Sequence, residues 1–188
     1  MSKIFTRISS GKFKGKKLLL PSLQTTRSTK SIVKGSFFDS FRYDLIGKIF
    51  IEAFGGSALM AAEALSNGAK KSYVVELDKS AYETTRLNAK NLSEDLEVFN
   101  ADTFELTPRL IRDADSKAIL YLDPPFDIRD GFEGIYQKCY KMVETLDDEK
   151  IFLIAIEHTS ILNVPNRIGK FELIKTKKFG NTALSYYK

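Results

Sequence analysis

The chain has 188 residues, 43% of them hydrophobic, and a formal net charge of +5. A globular chain of this size buries roughly 70% of its unfolded surface, which excludes disorder as the dominant state and fits one domain with room for a small appendage. No apolar run nears the roughly 20 residues of a membrane span, no apolar leader opens the sequence, and a lone Cys139 with a lone His158 excludes an internal disulfide and leaves almost nothing for a metal site; the expectation is a reduced, cytoplasmic protein without membrane association.

The charge is unevenly spread. Residues 1–34 hold nine basic side chains, Lys3, Arg7, Lys12, Lys14, Lys16, Lys17, Arg27, Lys30 and Lys34, and no acid, whereas the remainder holds 20 basic and 24 acidic groups. A cationic arm on a mildly acidic body points to a polyanion, nucleic acid before membrane. Ile4–Ile8 and Lys16–Leu20 read as two short strands around a Gly-containing turn. The segment from Ser10 to Lys17 lacks the amphipathic helical spacing of a membrane-surface helix. Its lysines around Phe13 suit phosphate contacts with an aromatic nearby for base stacking.

Pro21 ends the second strand, and the polar stretch Ser22–Ser28 is the boundary, giving an arm over 1–28 and a main domain over 29–188. Thr29–Ile46 predicts a helix, with Ile32, Val33, Ser36, Phe37, Ser40 and Phe41 at spacings of three and four and Gly47 as its stop. Strands and helices then alternate. Strands are expected at Lys48–Phe54, Lys71–Glu76, Leu96–Phe99, Ala118–Leu122 and Lys150–Glu157. Helices are expected at Ser57–Asn67, Lys79–Leu92, Thr103–Arg112 and Gly131–Leu146. Cys139 falls among Ile135, Met142 and Val143 and reads as core. Phe171–Thr176 and Ala183–Tyr187 flank a turn-rich Lys177–Asn181 and predict a terminal hairpin. This alternation argues for an α/β fold with a doubly wound, mostly parallel sheet covered on both faces.

Such sheets bind ligands at the carboxyl ends of their strands. Four successive strand ends carry an acid: Glu52, Glu76, Asp102 and Asp123. Gathering acids is costly without a cationic or hydrogen-bonding ligand, although Asp78 and Asp102 could simply cap the helices that follow. Phe54, Gly55 and Gly56 follow the first strand, and the glycines let the backbone approach a ligand at a helix N-terminus. Glu76, 20 residues after Gly56, has the place and chemistry to accept both hydroxyl hydrogens of a ribose. Asp102, followed by Thr103, could accept from an adenine amino group. Asp123-Pro124-Pro125-Phe126 is the most specific signal. Two prolines fix two φ angles and remove two donors, which leaves an acid, a rigid carbonyl and a stacking ring, a set that can hold a planar amino-bearing group such as a nucleobase.

Gly56, Glu76, Asp102 and Asp123-Pro124-Pro125-Phe126 resemble the ordered motifs of S-adenosylmethionine-dependent amino methyltransferases. The segments Arg7–Leu18, Thr26–Lys30, Glu63–Ala69 and Lys178–Thr182 are similar to those of the bacterial 16S ribosomal RNA guanine-N2 methyltransferases, so the resemblance spans essentially the whole chain. It implies a Rossmann-like, seven-stranded sheet with a terminal antiparallel strand, S-adenosylmethionine as donor and a guanine of 16S ribosomal RNA in the 30S subunit as acceptor. The absence of a long heptad argues against a coiled-coil dimer, so a monomer is expected.

The resemblance implies roles. Asp123, Pro124, Pro125 and Phe126 would form the catalytic tetrad. Glu52, Phe54, Gly55, Gly56, Glu76, Asp102 and Thr103 would hold the donor. Arg7, Lys12, Lys14, Lys16, Lys17, Arg27 and Lys30 would contact RNA. This chain departs from the pattern at Glu52 for Asp, Ala58 and Ala61 for glycines, Ser28 for Pro, and Phe126 for Tyr. An alanine forced to φ > 0 is strained, so a glycine loop following a different path is expected. The alternatives are a DNA adenine-N6 methyltransferase, a non-catalytic RNA-binding or ribosome-assembly relative, and a nicotinamide oxidoreductase, which leaves Asp-Pro-Pro-Phe unexplained.

Overall fold

The computed structural model describes residues 4–21, 27–125 and 134–188, with only the backbone of 27–30. The boundary stretch Ser22–Thr26, the first turn expected of the helix from Gly131, Phe126, and the side chains of Arg27 and Lys30 therefore lie outside the described residues.

The arm is a two-stranded antiparallel hairpin, β1 (Phe5–Arg7) and β2 (Lys17–Leu19), with Thr6 opposite Leu18. The main unit follows as α1 (Arg27–Phe41), a 3-10 turn at Tyr43–Leu45, β3 (Ile49–Glu52), α2 (Leu59–Ser66), β4 (Lys71–Glu76), α3 (Lys79–Lys90), β5 (Leu96–Asn100), α4 (Thr103–Arg112), β6 (Ala118–Leu122), α5 (Ile135–Glu144), β7 (Ile151–Thr159), β8 (Arg167–Ile168), β9 (Phe171–Phe179) and β10 (Thr182–Tyr187). The sheet order is β5-β4-β3-β6-β7-β10-β9-β8. The first five strands are parallel, and β10, β9 and β8 are antiparallel.

The expected α/β fold, with its terminal antiparallel hairpin and basic N-terminal hairpin, is present. Two details differ. The sheet has eight strands rather than seven, the addition being the two-residue β8 on the edge beside β9. The hairpin turn is tighter than the composition suggests, because β9 runs on through Lys177, Lys178 and Phe179 and only Gly180 and Asn181 turn the chain. The lysines remain in the strand because Lys177 and Lys178 pair with Leu184 and Ala183.

Two buried clusters cover the two faces. One joins the arm (Ile8, Leu18), α1 (Val33, Phe37, Phe38), α2 and α3 to Phe50, Tyr121, Ala155 and Tyr186. The other joins α4 and α5, including the buried Cys139, to Ile51, Leu120, Leu122 and Ile154. Strictly apolar strands such as Ala-Ile-Leu-Tyr-Leu of β6 are buried at every position because both faces are covered. Phe37 seats α1 on the sheet, meeting Phe50 at 5.9 Å and Tyr121 at 5.4 Å edge-on, contacts worth roughly 0.5–1.5 kcal/mol each beyond burial. The helix stripe read from sequence is rotated: Ile32 is exposed and Phe38 is buried. Ser36 and Ser40 instead accept from Lys177 Nζ. The order of strands reverses between β3 and β6, so the ligand crevice of this sheet lies over their carboxyl ends. No described helix is long and apolar enough to cross a membrane.

Candidate active site

The loop after β3 approaches β4 closely. Gly55 donates to the Val75 carbonyl at 2.9 Å, and a Cβ there would lie 2.6 Å from Val74 Cγ1, so glycine is obligatory for packing. Gly56 (φ +52°) has open space where a Cβ would stand. Ala58 takes φ +61°, ψ 26°, and is the one positive-φ non-glycine residue among those described. The loop therefore keeps the left-handed path that a glycine would give it, contrary to the expectation that alanine would redirect it. Ala58 is fully buried, so its methyl group gains packing that a glycine would lack.

Three of the strand-end acids, Glu76, Glu52 and Asp102, are held in place by backbone N–H groups. Glu76 Oε2 accepts from Gly56 N at 2.8 Å and Oε1 from Asp78 N at 2.8 Å. Asn100 Nδ2 reaches the carbonyls of Glu76 and Leu77 at 2.9 and 3.0 Å. Glu52 is buried, and its Oε2 accepts from Ala61 N at 2.9 Å, in the first turn of α2. The negative carboxylate suits the positive end of that helix. Asp78 caps α3 through Ala81 N at 2.7 Å, and Asp102 caps α4 through Phe104 N at 2.7 Å. Thr103 is buried, with its hydroxyl 2.9 Å from Thr107 Oγ1. Phe54 meets Phe104 edge-on at 6.0 Å, a half-buried aromatic pair beside Asp102. Leu77, beside Glu76, is exposed.

Glu52 pairs with Tyr121 across β3 and β6, so Asp123 follows two residues along on the neighbouring strand. Pro124 is buried, and Asp123 and Pro125 are half-buried. Sequence reasoning missed Tyr121 and Glu157 here. The register Leu122↔Ile156 puts Glu157, inside β7, level with Asp123, the first residue beyond β6. Tyr121 donates to Glu157 Oε2 at 2.9 Å. Burial, followed by the carboxylates of Glu157, Asp123 and Glu52, pushes the Tyr121 hydroxyl well above its usual pKa, so it stays a proton donor. The signal for Glu157 was in the sequence: it is the acid that follows the apolar run Ile151–Ile156, although β7 continues past it to Thr159.

His158, by contrast, is a core residue. It is buried, with Nδ1 2.8 Å from the Thr159 carbonyl and Nε2 2.8 Å from Ser185 Oγ. Among the described residues no group of His, Cys, Asp and Glu could hold a metal ion.

The arm is bolted to α2 and α3. Ser66 closes one end: its carbonyl accepts from Lys12 N at 2.8 Å and its hydroxyl from Phe13 N at 2.9 Å. A Cβ on Gly11 would lie 1.8 Å from the Ser66 carbonyl oxygen, so only glycine permits this approach. Buried Glu63 accepts through Oε1 from Ser9 N and Ser9 Oγ at 2.7 and 2.6 Å, and pairs with Lys34 Nζ. Lys12 and Lys16 lie 4.7 and 4.8 Å from the ring centre of Phe13, which is itself half-buried against the core. Arg7 donates to the Gly15 carbonyl at 2.9 Å, and Lys17 lies 5.4 Å from the Phe5 ring centre. Lys14 is exposed. The basic turn sits at the end of α2 away from the glycine loop. Eight helical residues at 1.5 Å each separate the two by about 12 Å.

Comparison with known proteins agrees with this fold. The chain is 26% identical to Ribosomal RNA small subunit methyltransferase D of Haemophilus influenzae over 184 residues, 96% of this chain and 92% of that protein. It is 24% identical to the protein of the same name from Escherichia coli over 185 residues, 96% of this chain and 88% of that one. The solved structure of yhhF from Escherichia coli matches with a TM-score of 0.76 at 24% identity, covering 98% of this chain and 97% of that one. Trm1 of Pyrococcus horikoshii, solved with S-adenosyl-L-methionine, matches with a TM-score of 0.68 at 12% identity, covering 98% of this chain and 61% of that one. The fold is thus that of the methyltransferases. The family model described as Conserved hypothetical protein 95 matches residues 6–188, and the chain belongs to that family.

Proposed function

We propose that the chain transfers a methyl group from S-adenosylmethionine to the exocyclic N2 amine of a guanine in 16S ribosomal RNA, in the small subunit or its precursor. The observation that carries this reading is the meeting at one switch point of the Gly56–Glu76 hydrogen bond and the Asp123-Pro124-Pro125 strand end, on adjacent β3 and β6. Names of the relatives, rRNA small-subunit methyltransferases, support the substrate class.

The residues present fit the donor. Glu76 is an acceptor-only group held at the loop by two N–H donors, which suits a ribose diol. The open space over Gly56 admits a ligand against the backbone, and Leu77, Phe54 and Phe104 supply apolar surface for a base. Glu52, Gly55 and Asp102 shape the loop and the helix ends around it. When bound, the donor would supply a sulfonium-activated methyl group and leave as the neutral thioether S-adenosylhomocysteine, and the proton that the amine releases would pass to solvent.

The protein's task is then to present the amine. Asp123 and the Pro124 carbonyl accept hydrogen bonds from it and raise its electron density, and Phe126 stacks on the base. A guanine must leave its stack to reach the strand ends. The proline pair keeps the carbonyl fixed. Alignment of this kind is worth up to roughly 7–11 kcal/mol. Arg7, Lys12, Lys14, Lys16, Lys17, Arg27 and Lys30 contact phosphates, which sets affinity and salt dependence rather than base choice. The position of the basic turn, a helix length from the loop, suits phosphates flanking the target.

The test uses 30S subunits from cells lacking the endogenous modification, incubated with the protein and S-adenosylmethionine, with nucleosides quantified by mass spectrometry. N2-methylguanosine is the expected product. A different methylated nucleoside, or methylation of duplex DNA alone, overturns the guanine assignment. Donor binding without any product overturns catalysis.

A further inference from the structure

The arm and the donor loop share one side chain. Asn88, on α3, is buried, and its amide uses three groups. Its Oδ1 accepts from Leu19 N at 2.8 Å, and its Nδ2 donates to the Leu19 carbonyl at 2.9 Å. Strand β2 is thereby held at its end as a neighbouring strand would hold it. The same Nδ2 donates to the Ser57 carbonyl, in the glycine loop, at 3.1 Å. Three residues earlier on the same helix face, buried Thr85 places its hydroxyl 2.6 Å from the Gly56 carbonyl. Gly56 N is in turn held by Glu76. The loop is therefore clamped at Gly56 N, Gly56 O and Ser57 O, and the last clamp is also the anchor of the arm.

We infer that Asn88 is a positioning residue that couples the RNA-contacting arm to the donor loop, so that each ligand tightens the other. The inference rests on the proposed function, in which the arm binds RNA and the loop binds S-adenosylmethionine. Its physical basis is ordering. An arm stiffened by phosphate contacts fixes Leu19, Leu19 fixes the Asn88 amide, and the amide fixes the Ser57 carbonyl before the donor arrives. A donor that meets an ordered loop loses less conformational entropy on binding. Linkage requires the same factor in the reverse direction.

The experiment is a thermodynamic cycle. S-adenosylhomocysteine is titrated into the protein by calorimetry with and without saturating 30S subunits from cells lacking the endogenous modification, the RNA-bearing ligand of the proposed reading. Wild type is expected to bind the analogue about five-fold or more tightly with RNA present, the lower end of ordinary coupling. Asn88→Asp is nearly isosteric, keeps the acceptor for Leu19 N and removes both donations; the factor is expected to fall towards one. Asn88→Ala is the second variant. Ser10→Ala loosens the arm at its other anchor, where Ser10 Oγ meets the Asn67 amide at 2.9 Å; RNA affinity is expected to drop while the factor persists. A wild-type factor of one with both ligands bound overturns the coupling and leaves the methyltransferase reading intact. Retention of the factor in folded Asn88→Asp overturns the role of Asn88. Failure of wild type to bind either ligand overturns both.

Discussion

Gly56 donates its backbone N–H to Glu76 Oε2 at 2.8 Å, so the glycine loop and the strand-end acid hold each other. The other oxygen of Glu76 turns the chain into α3 by accepting from Asp78 N. One carboxylate thus sets the shape of the loop and the start of a helix. Glu76→Gln places an amide –NH2 against one of two N–H donors. A lost hydrogen bond to a charged group is worth about 1.5–3 kcal/mol. Affinity for S-adenosylhomocysteine is expected to fall about ten-fold or more, with a near-wild-type circular dichroism spectrum. Calorimetric titration checks this, and unchanged affinity would remove Glu76 from the site.

Asp123 stands on the other side of the switch point, beyond β6, where the proposed reading assigns it to the acceptor rather than to the loop. Asp123→Ala is expected to abolish turnover on 30S subunits while donor-analogue affinity stays within about three-fold of wild type, a difference below ~0.7 kcal/mol. Parallel single-turnover assays and titrations measure the two. A large loss of donor affinity in this variant would show that Asp123 belongs to the donor pocket.

The strands that position these residues were legible in sequence. Lys71–Glu76 and Ala118–Leu122 match the expectation residue for residue, because each is short, carries an apolar stretch and is bounded by polar turns. The acids after them were legible by the strand-end rule. Hydrogen bonds between distant segments were not. Asn88 and Thr85 look like ordinary polar positions of an amphipathic helix. Only the placement of β2 and the glycine loop against α3 turns them inward. Ile32 was misread because a pattern of threes and fours fits two neighbouring helix faces, and the aromatic contacts of Phe37 and Phe38 select the other.

Ala58 lets opposing effects be compared. A left-handed alanine costs roughly 1–2 kcal/mol. Removing its buried methyl group forfeits about 0.8 kcal/mol, and glycine adds unfolded-state freedom worth about 0.4–1 kcal/mol. These offset one another. Ala58→Gly is expected to change unfolding free energy by less than about 1 kcal/mol in either direction, read from urea denaturation. A gain well beyond that would mean that the loop is strained more than its φ of +61° implies.

The Lys34–Glu63 pair holds the arm's Ser9 from within the core. Glu63 is fully buried, and its Oε2 has no hydrogen-bond partner among the described residues. Glu63→Ala leaves the Lys34 ammonium without its counterion, which costs about 3–5 kcal/mol. For a domain of this size that is a fall in Tm of roughly 10 °C. Lys34→Met with Glu63→Leu removes both charges and is expected to recover most of the loss, because a matched apolar pair avoids desolvating either ion. Differential scanning calorimetry of the two proteins measures the contrast. Equal Tm values for the single and double variants would show that the bonds to Ser9, not the charge pair, carry the stability.

His158 gives the fold a pH dependence whose sign follows from burial. Desolvation lowers its pKa from 6.5, the nearby Lys178 lowers it further, and the bond to the Thr159 carbonyl only partly opposes them. Below pH 6.5 the unfolded chain therefore takes up a proton that the folded chain refuses. The stability contributed by neutral His158 is full above that pH and is lost as pH falls towards the lowered folded-state value. Protonation would also turn Nε2 from the acceptor of the Ser185 hydroxyl, 2.8 Å away, into a donor, forcing that hydroxyl to reorient towards Thr176. The Tm is expected to decline from pH 7 to pH 5, and His158→Gln, which does not titrate, is expected to flatten that decline. Scans of both proteins across this range decide it: parallel curves would assign the pH dependence to the carboxylates instead.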